Sequence, residues 1–182
     1  LMAKEGVWWS LQPFLIDEHA NPQVGEAREK QREVAEGTDR AFQLAKRHNV
    51  KVAWGSDILF SAALAAQQGA LLAKMQRWYS PSEVLVMATS NNARLLELSG
   101  PRNPYRGKLG IIEEGVLADL ILVQGNPLED LQLIAEPERN FVVIMKDGVV
   151  IKNSIHRAGS TSESSTTTSR VSGGSADGVI PR

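Results

Sequence analysis

The chain has 182 residues, of which 42 % are hydrophobic and 23 % charged, and its net charge is −1. That balance reads as a globular domain with room for a tail, and it offers no global field to draw the protein to nucleic acid or an anionic membrane surface. The absence of cysteine excludes disulfides and thiolate metal sites, and no apolar run approaches the roughly 18 residues needed to span a bilayer.

The opening "LMAKEGVWWSLQPFL" reads as the end of a helix stopped by Gly6, followed by a strand over Val7 to Leu11. A chain rarely starts in the middle of such a unit, so an upstream portion is expected. Pro13 to Gly25 carries Pro, Asn, Asp and Gly and reads as a long loop, a kind of segment that is often functional. From Glu26 to Arg47 the charged sequence places Val34, Ala35, Ala41, Phe42 and Ala45 at helical spacing. Lys46, Arg47 and His48 fall at its end, where the helix dipole favours cations.

A second short strand is expected over Val50 to Trp54, and a helix over Ile58 to Trp78, interrupted at Gly69. "SPSE" opens the next helix, with Ser80 as N-cap, Pro81 at its first position and Glu83 completing a capping box. That helix should break near Thr89 to Asn91 and end at Gly100. Beyond Pro101 the texture becomes β-rich: "ADLILV", "FVVIMK" and "VVIK" are short strands, and Asp147-Gly148 between the last two is a hairpin turn signal. After Arg157 the Ser/Thr/Gly-rich sequence lacks the apolar content that would offset ordering entropy, and it reads as disordered.

The class is therefore α/β. The first two strands should lie parallel and adjacent, and the later three should form a separate sheet. In such folds, functional groups collect at the C-terminal ends of parallel strands. "VAWGSD" places a carboxylate, Asp57, directly after a strand. A lone Asp there also suits a turn or a helix N-cap.

Several stretches together resemble one family. "VKVAWGSD" resembles the last barrel strand of metal-dependent amidohydrolases, in the branch of imidazolonepropionase-like and Xaa-Pro-dipeptidase-like hydrolases. "YSPSEVLVMATSNNARLLEL" resembles the helices that follow that strand. "GKLGIIEEGVLADLILVQGNPLEDLQLI" with "VVIMKDGVVIK" resembles the small β-sandwich that closes those chains, and its "EGVLADLILVQGNPL" stretch is the most specific part. The resemblance covers residues 1 to 157.

It implies the last part of a (β/α)₈ TIM-like barrel over residues 1–100, a portion of a composite β-sandwich over 101–157, and a disordered tail over 158–182. The family's metal centre draws on an HxH motif, a carboxylated lysine or glutamate, two further histidines and an aspartate after the eighth strand. Only the last matches a position here, Asp57. The chain's three histidines, His19, His48 and His156, form no HxH pair.

The resemblance thus implies a C-terminal segment of an enzyme that hydrolyses a C–N bond of an amide, peptide or cyclic amide, using Zn²⁺ or another divalent metal. Zinc lowers the pKa of bound water from about 15.7 toward 7, and a carboxylate beside it can relay the proton to the leaving nitrogen. Asp57 takes both roles, metal ligand and catalytic acid-base. Gly55 would let the backbone approach the site and Ser56 would orient the carboxylate. The expected partner is a small-molecule substrate, with no nucleic acid and no membrane, and homo-oligomerisation is left open. A deaminase of the same superfamily and a non-catalytic binding fragment are the alternatives. The segment by itself is expected to be inactive. His48 reads as a water-facing helix end, His19 as surface loop, His156 as tail, and Trp8 and Trp9 as packing residues on opposite faces of their strand. The acids Glu129, Asp130, Glu136 and Glu138 read as a solvated face.

Overall fold

The computed structural model describes residues 1–17, 20, 22–59 and 61–155. His19, His156 and the stretch read as a tail, 158–182, lie outside the described residues. The first turn ends at Gly6, which takes φ 65°. The Gly6 N–H donates to the Ala3 carbonyl at 3.3 Å and the Val7 N–H to that of Met2 at 3.0 Å. This nested pair is the way a left-handed glycine closes a helix end, as the opening stretch suggests.

Strand β1, Trp8–Leu11, pairs in parallel with β2, Lys51–Trp54, in the register Trp8 to Lys51 and Leu11 to Trp54. Parallel neighbours need a long crossover, and helix α1, Glu26–Arg47, supplies it. Acids stand in its first turn and Lys46 and Arg47 in its last, both favourable to the helix dipole. Its buried residues are Thr38, Phe42 and Ala45, one stripe at helical spacing. Val34, expected on that stripe, is 46 % exposed. The stripe begins four residues later because the front half of α1, Val34 included, lines an open cleft instead of the core.

Trp9 packs against the core, whereas Trp8 points to the other face, with Lys51 Nζ 5.7 Å from its ring centroid. The single helix expected over 58–78 is three pieces: α2, Ala62–Ala65; α3, Gln68–Ala73; and a 3₁₀ turn, Lys74–Arg77. The break falls at Ala66 and Gln67, not at Gly69, which lies inside α3. Gly69 serves packing instead. A Cβ there would run into the Ile134 carbonyl oxygen and come within 3.0 Å of its carbon.

Helix α4, Pro81–Val86, begins with the expected capping box: Ser80 and Glu83 each accept from the other's backbone N–H. The expected break is a π turn, Met87–Asn91, which leads into α5, Asn92–Glu97. The π turn inserts one residue into the helical run.

Strands β3, Leu120–Val123, β4, Phe141–Lys146, and β5, Val149–Asn153, form a separate antiparallel sheet in that order. Asp147 and Gly148 both take positive φ, 50° and 77°, which a tight hairpin with the right twist requires. Between β3 and β4, a 3₁₀ turn, Leu131–Ile134, precedes the short α6, Pro137–Asn140. Leu131 is fully buried and joins Phe42, Val52, Leu72, Met75 and Val84 in one core cluster. The β-rich stretch therefore plugs into the core of the helical one. Glu129, Asp130, Glu136 and Glu138 are exposed, as expected.

Candidate active site

The two parallel strands end side by side at Leu11 and Trp54. The segments that leave them form a cleft of about 640 Å³ with the front half of α1 and with residues of α2, α3 and the turn after it. Phe14, Leu15, Val34, Leu59, Leu64 and Leu71 give it apolar walls. Asp57 and Ser56 line it where the chain leaves β2.

Asp57 is exposed and takes φ 54°, a left-handed conformation that Asp and Asn tolerate better than most residues. It does not cap the following helix. That role belongs to Ser61, whose Oγ accepts the Leu64 N–H at 3.3 Å. Among the described residues no hydrogen bond or ion pair engages the Asp57 carboxylate. A turn or cap residue would spend its carboxylate on nearby backbone N–H groups. Ser56, expected to orient Asp57, makes no hydrogen bond to it among the described residues. A Cβ at Gly55 would meet Ser10 Oγ on β1 at 3.3 Å, so this glycine serves the close approach of the two strand ends.

The exit of β2 is fixed from the side. The Asn92 carboxamide bonds both backbone groups of Trp54, and Asn91 Nδ2 donates to the Val52 carbonyl at 3.0 Å. Sequence reading found the break at 89–91 but not this purpose. The cleft also holds an ion pair that no local pattern announces: Lys74 Nζ donates to both Asp17 carboxylate oxygens at 2.6 Å. Its partners stand 57 residues apart.

The rear half of α1 is anchored. Asp39 receives Arg77 through Nε and Nη2 and the Trp78 indole N–H, all at 2.7 Å. Trp78 in turn stacks on Phe42 at 4.1 Å. The Arg77 hydrogen bonds, with help from Trp78 and against a desolvation cost, hold the Asp39 carboxyl at about 2. His48 sits exposed at the end of α1 and does not line the cleft.

The described residues do not amount to a metal centre. No group of three or more His, Cys, Asp and Glu side chains is gathered among them. Of the two carboxylates among the described residues that line the cleft, Asp17 is tied to Lys74 and Asp57 can serve as one ligand, whereas zinc sites use three or four protein ligands.

Comparison with known proteins identifies the family. Ochratoxinase from Aspergillus niger is 28 % identical over 142 residues, which are 76 % of this chain and 28 % of that protein. The crystal structure of the A. niger ochratoxinase matches with a TM-score of 0.65 and 26 % identity, over 84 % of this chain and 33 % of that one. An amidohydrolase of known structure matches with a TM-score of 0.71 and 25 % identity, over 85 % of this chain and 37 % of its own. A prolidase solved with N-methylphosphonate-L-proline shares the fold at 24 % identity and a TM-score of 0.67. The chain thus spans about a third of the length of the proteins it matches. The amidohydrolase family model aligns with residues 1–155, both sheets and the whole cleft included, and the chain belongs to that family.

Proposed function

We propose that this chain is the C-terminal part of a metal-dependent amidohydrolase that cleaves a C–N bond of an amide, peptide or cyclic amide, with Asp57 as its acid-base residue. The observation that carries the reading is the state of Asp57: a carboxylate at the end of a parallel strand, lining an apolar-walled cleft, with no described partner. An exposed carboxylate at that place can accept a proton from an attacking water and return it to the leaving nitrogen. The apolar walls suit the uncharged flanks of an amide substrate. The names of the relatives, a prolidase and an ochratoxinase among them, support a C–N bond as the target.

Zn²⁺ or another divalent metal belongs to this reading for the complete enzyme, and the donors beyond Asp57 would come from outside the described residues. Residues 1–100 are read as the last strands and helices of a barrel and 101–157 as part of a composite sandwich. The exposure of Ile121, Val149 and Ile151 on the outer strands, 51 %, 66 % and 66 %, supports a further layer over that sheet.

The test is Asp57→Asn in the complete protein, assayed on a panel of acyl amino acids and Xaa-Pro dipeptides. Turnover should fall by about 10² to 10⁴-fold with KM little changed. A variant that keeps most of the parent turnover would sink the assignment.

A further inference from the structure

We propose that the Asp17–Lys74 ion pair is a strap that holds the segment after β1 across the Asp57 cleft, and that Lys74 is thereby a positioning residue for the apolar wall formed by Phe14 and Leu15. The two partners come from different elements. Asp17 lies in the connection from β1 to α1, and Lys74 begins the 3₁₀ turn after α3. Both line the cleft.

Its surroundings set this pair apart. The Lys74 and Asp17 side chains are 13 % and 22 % exposed. Every other ion pair among the described residues has a partner at least 45 % exposed. Exposed pairs contribute little because water and salt screen them. A shielded pair is screened less, and loss of one partner leaves a charge uncompensated. The Lys74 ammonium bonds both carboxylate oxygens, so it fixes the direction of the Asp17 side chain as well as its position.

Among the described residues, the backbone hydrogen bonds from Phe14 N–H to the Gln12 carbonyl and from Ala20 N–H to the Asp17 carbonyl close within the segment. Phe14 stays 41 % exposed and lines the cleft together with Leu64 and Leu71. Apolar side chains held half-open to water need an external restraint, since solvation alone would favour their collapse. The ion pair is placed to supply it.

Amide hydrogen exchange on the chain tests the strap without any turnover, so the strap can fail while the hydrolytic reading stands, and the reverse. Lys74→Met should speed exchange at Phe14 and Ala20 by about tenfold or more, while amides of the buried half of α1, at Phe42 and Ala45, keep their rates. Lys74→Arg, which keeps the charge, should return the two loop amides to within about threefold of the parent. Should the Met variant not fold by circular dichroism, Lys74→Gln takes its place with the same readout. Unchanged exchange at Phe14 and Ala20 overturns the strap, and so does a uniform rise at every amide. In the complete enzyme, where the test also rests on the hydrolytic reading, Lys74→Met should raise KM more than it lowers kcat. Faster loop exchange with an unchanged KM overturns the role of the wall in binding.

Discussion

The Asn92 side chain pairs with the backbone of Trp54 as a neighbouring strand would. Its Nδ2 donates to the Trp54 carbonyl at 3.1 Å and its Oδ1 accepts the Trp54 N–H at 3.0 Å. Backbone polar groups at a sheet edge must find partners. Here a helix provides them, through the residue that follows its π turn, and Trp54 lies three residues before Asp57. Replacing Asn92 by the isosteric but apolar Leu should leave both Trp54 groups unpaired and destabilise the chain by about 2–3 kcal/mol. Asn92→Asp should not rescue it, because one carboxylate oxygen would then face the Trp54 carbonyl. Urea midpoints of the two variants decide this, and a Leu variant at the parent midpoint would refute the edge-pairing role.

Asp57 answers to two constraints that substitution separates. Its φ of 54° suits Asn as well as Asp. Asp57→Asn should therefore leave the melting temperature of the chain within about 1 °C, while Asp57→Ala should cost about 1 kcal/mol through left-handed strain. Equal melting temperatures for the Ala and parent chains would show that the backbone conformation carries no cost.

The Asp39 cluster gives a pH signature. Its carboxyl is lowered from 3.8 to about 2, first by the hydrogen bonds from Arg77. A depressed carboxylate contributes stability that is full above 3.8 and is lost as pH falls through about 2. The side chains of Asp39 and Arg77 are 37 % and 55 % exposed, so solvent screening keeps the contribution small. Asp39→Asn should flatten the stability curve over that interval and leave its slope above pH 5 unchanged, to within about a tenth. Denaturant midpoints measured across the range would refute this if the two curves stay parallel down to the acid end.

Gly69→Ala is a case in which local propensity and tertiary packing disagree. Alanine should gain about 1 kcal/mol within α3. Yet its Cβ would collide with the backbone of Ile134, which cannot rotate away as a side chain could. The net effect should be a loss of about 2 kcal/mol, seen in the thermal or denaturant midpoint. A stabilised variant would mean that the 131–134 turn yields freely.

Zinc titration checks the division of the metal shell. One carboxylate cannot replace the three or four ligands of a zinc site. Calorimetry on this chain should show no site tighter than about 1 μM. A submicromolar zinc site would contradict the reading that most donors lie elsewhere.

By itself, the sequence determined the features that depend on neighbours along the chain. The bounds of α1 follow from its charge pattern and apolar spacing. The capping box at Ser80 and Glu83 and the Asp147-Gly148 hairpin follow from residue types that only those backbone shapes favour. The alternation of strand and helix gave the α/β class, and "VAWGSD" put Asp57 after a strand. What only the tertiary structure decided lies between residues far apart in the chain. Thr38 rather than Val34 begins the buried stripe, because the front of α1 faces the cleft and not the core. Leu131, with Ile134 packed beside it, completes a core whose other buried members lie at or before Met87. Asn92 reaches Trp54, and Lys74 reaches Asp17, across 38 and 57 residues. Periodicity and capping report the dihedral preferences of a few adjacent residues, whereas such pairings depend on how whole elements stack, which no short window of sequence encodes.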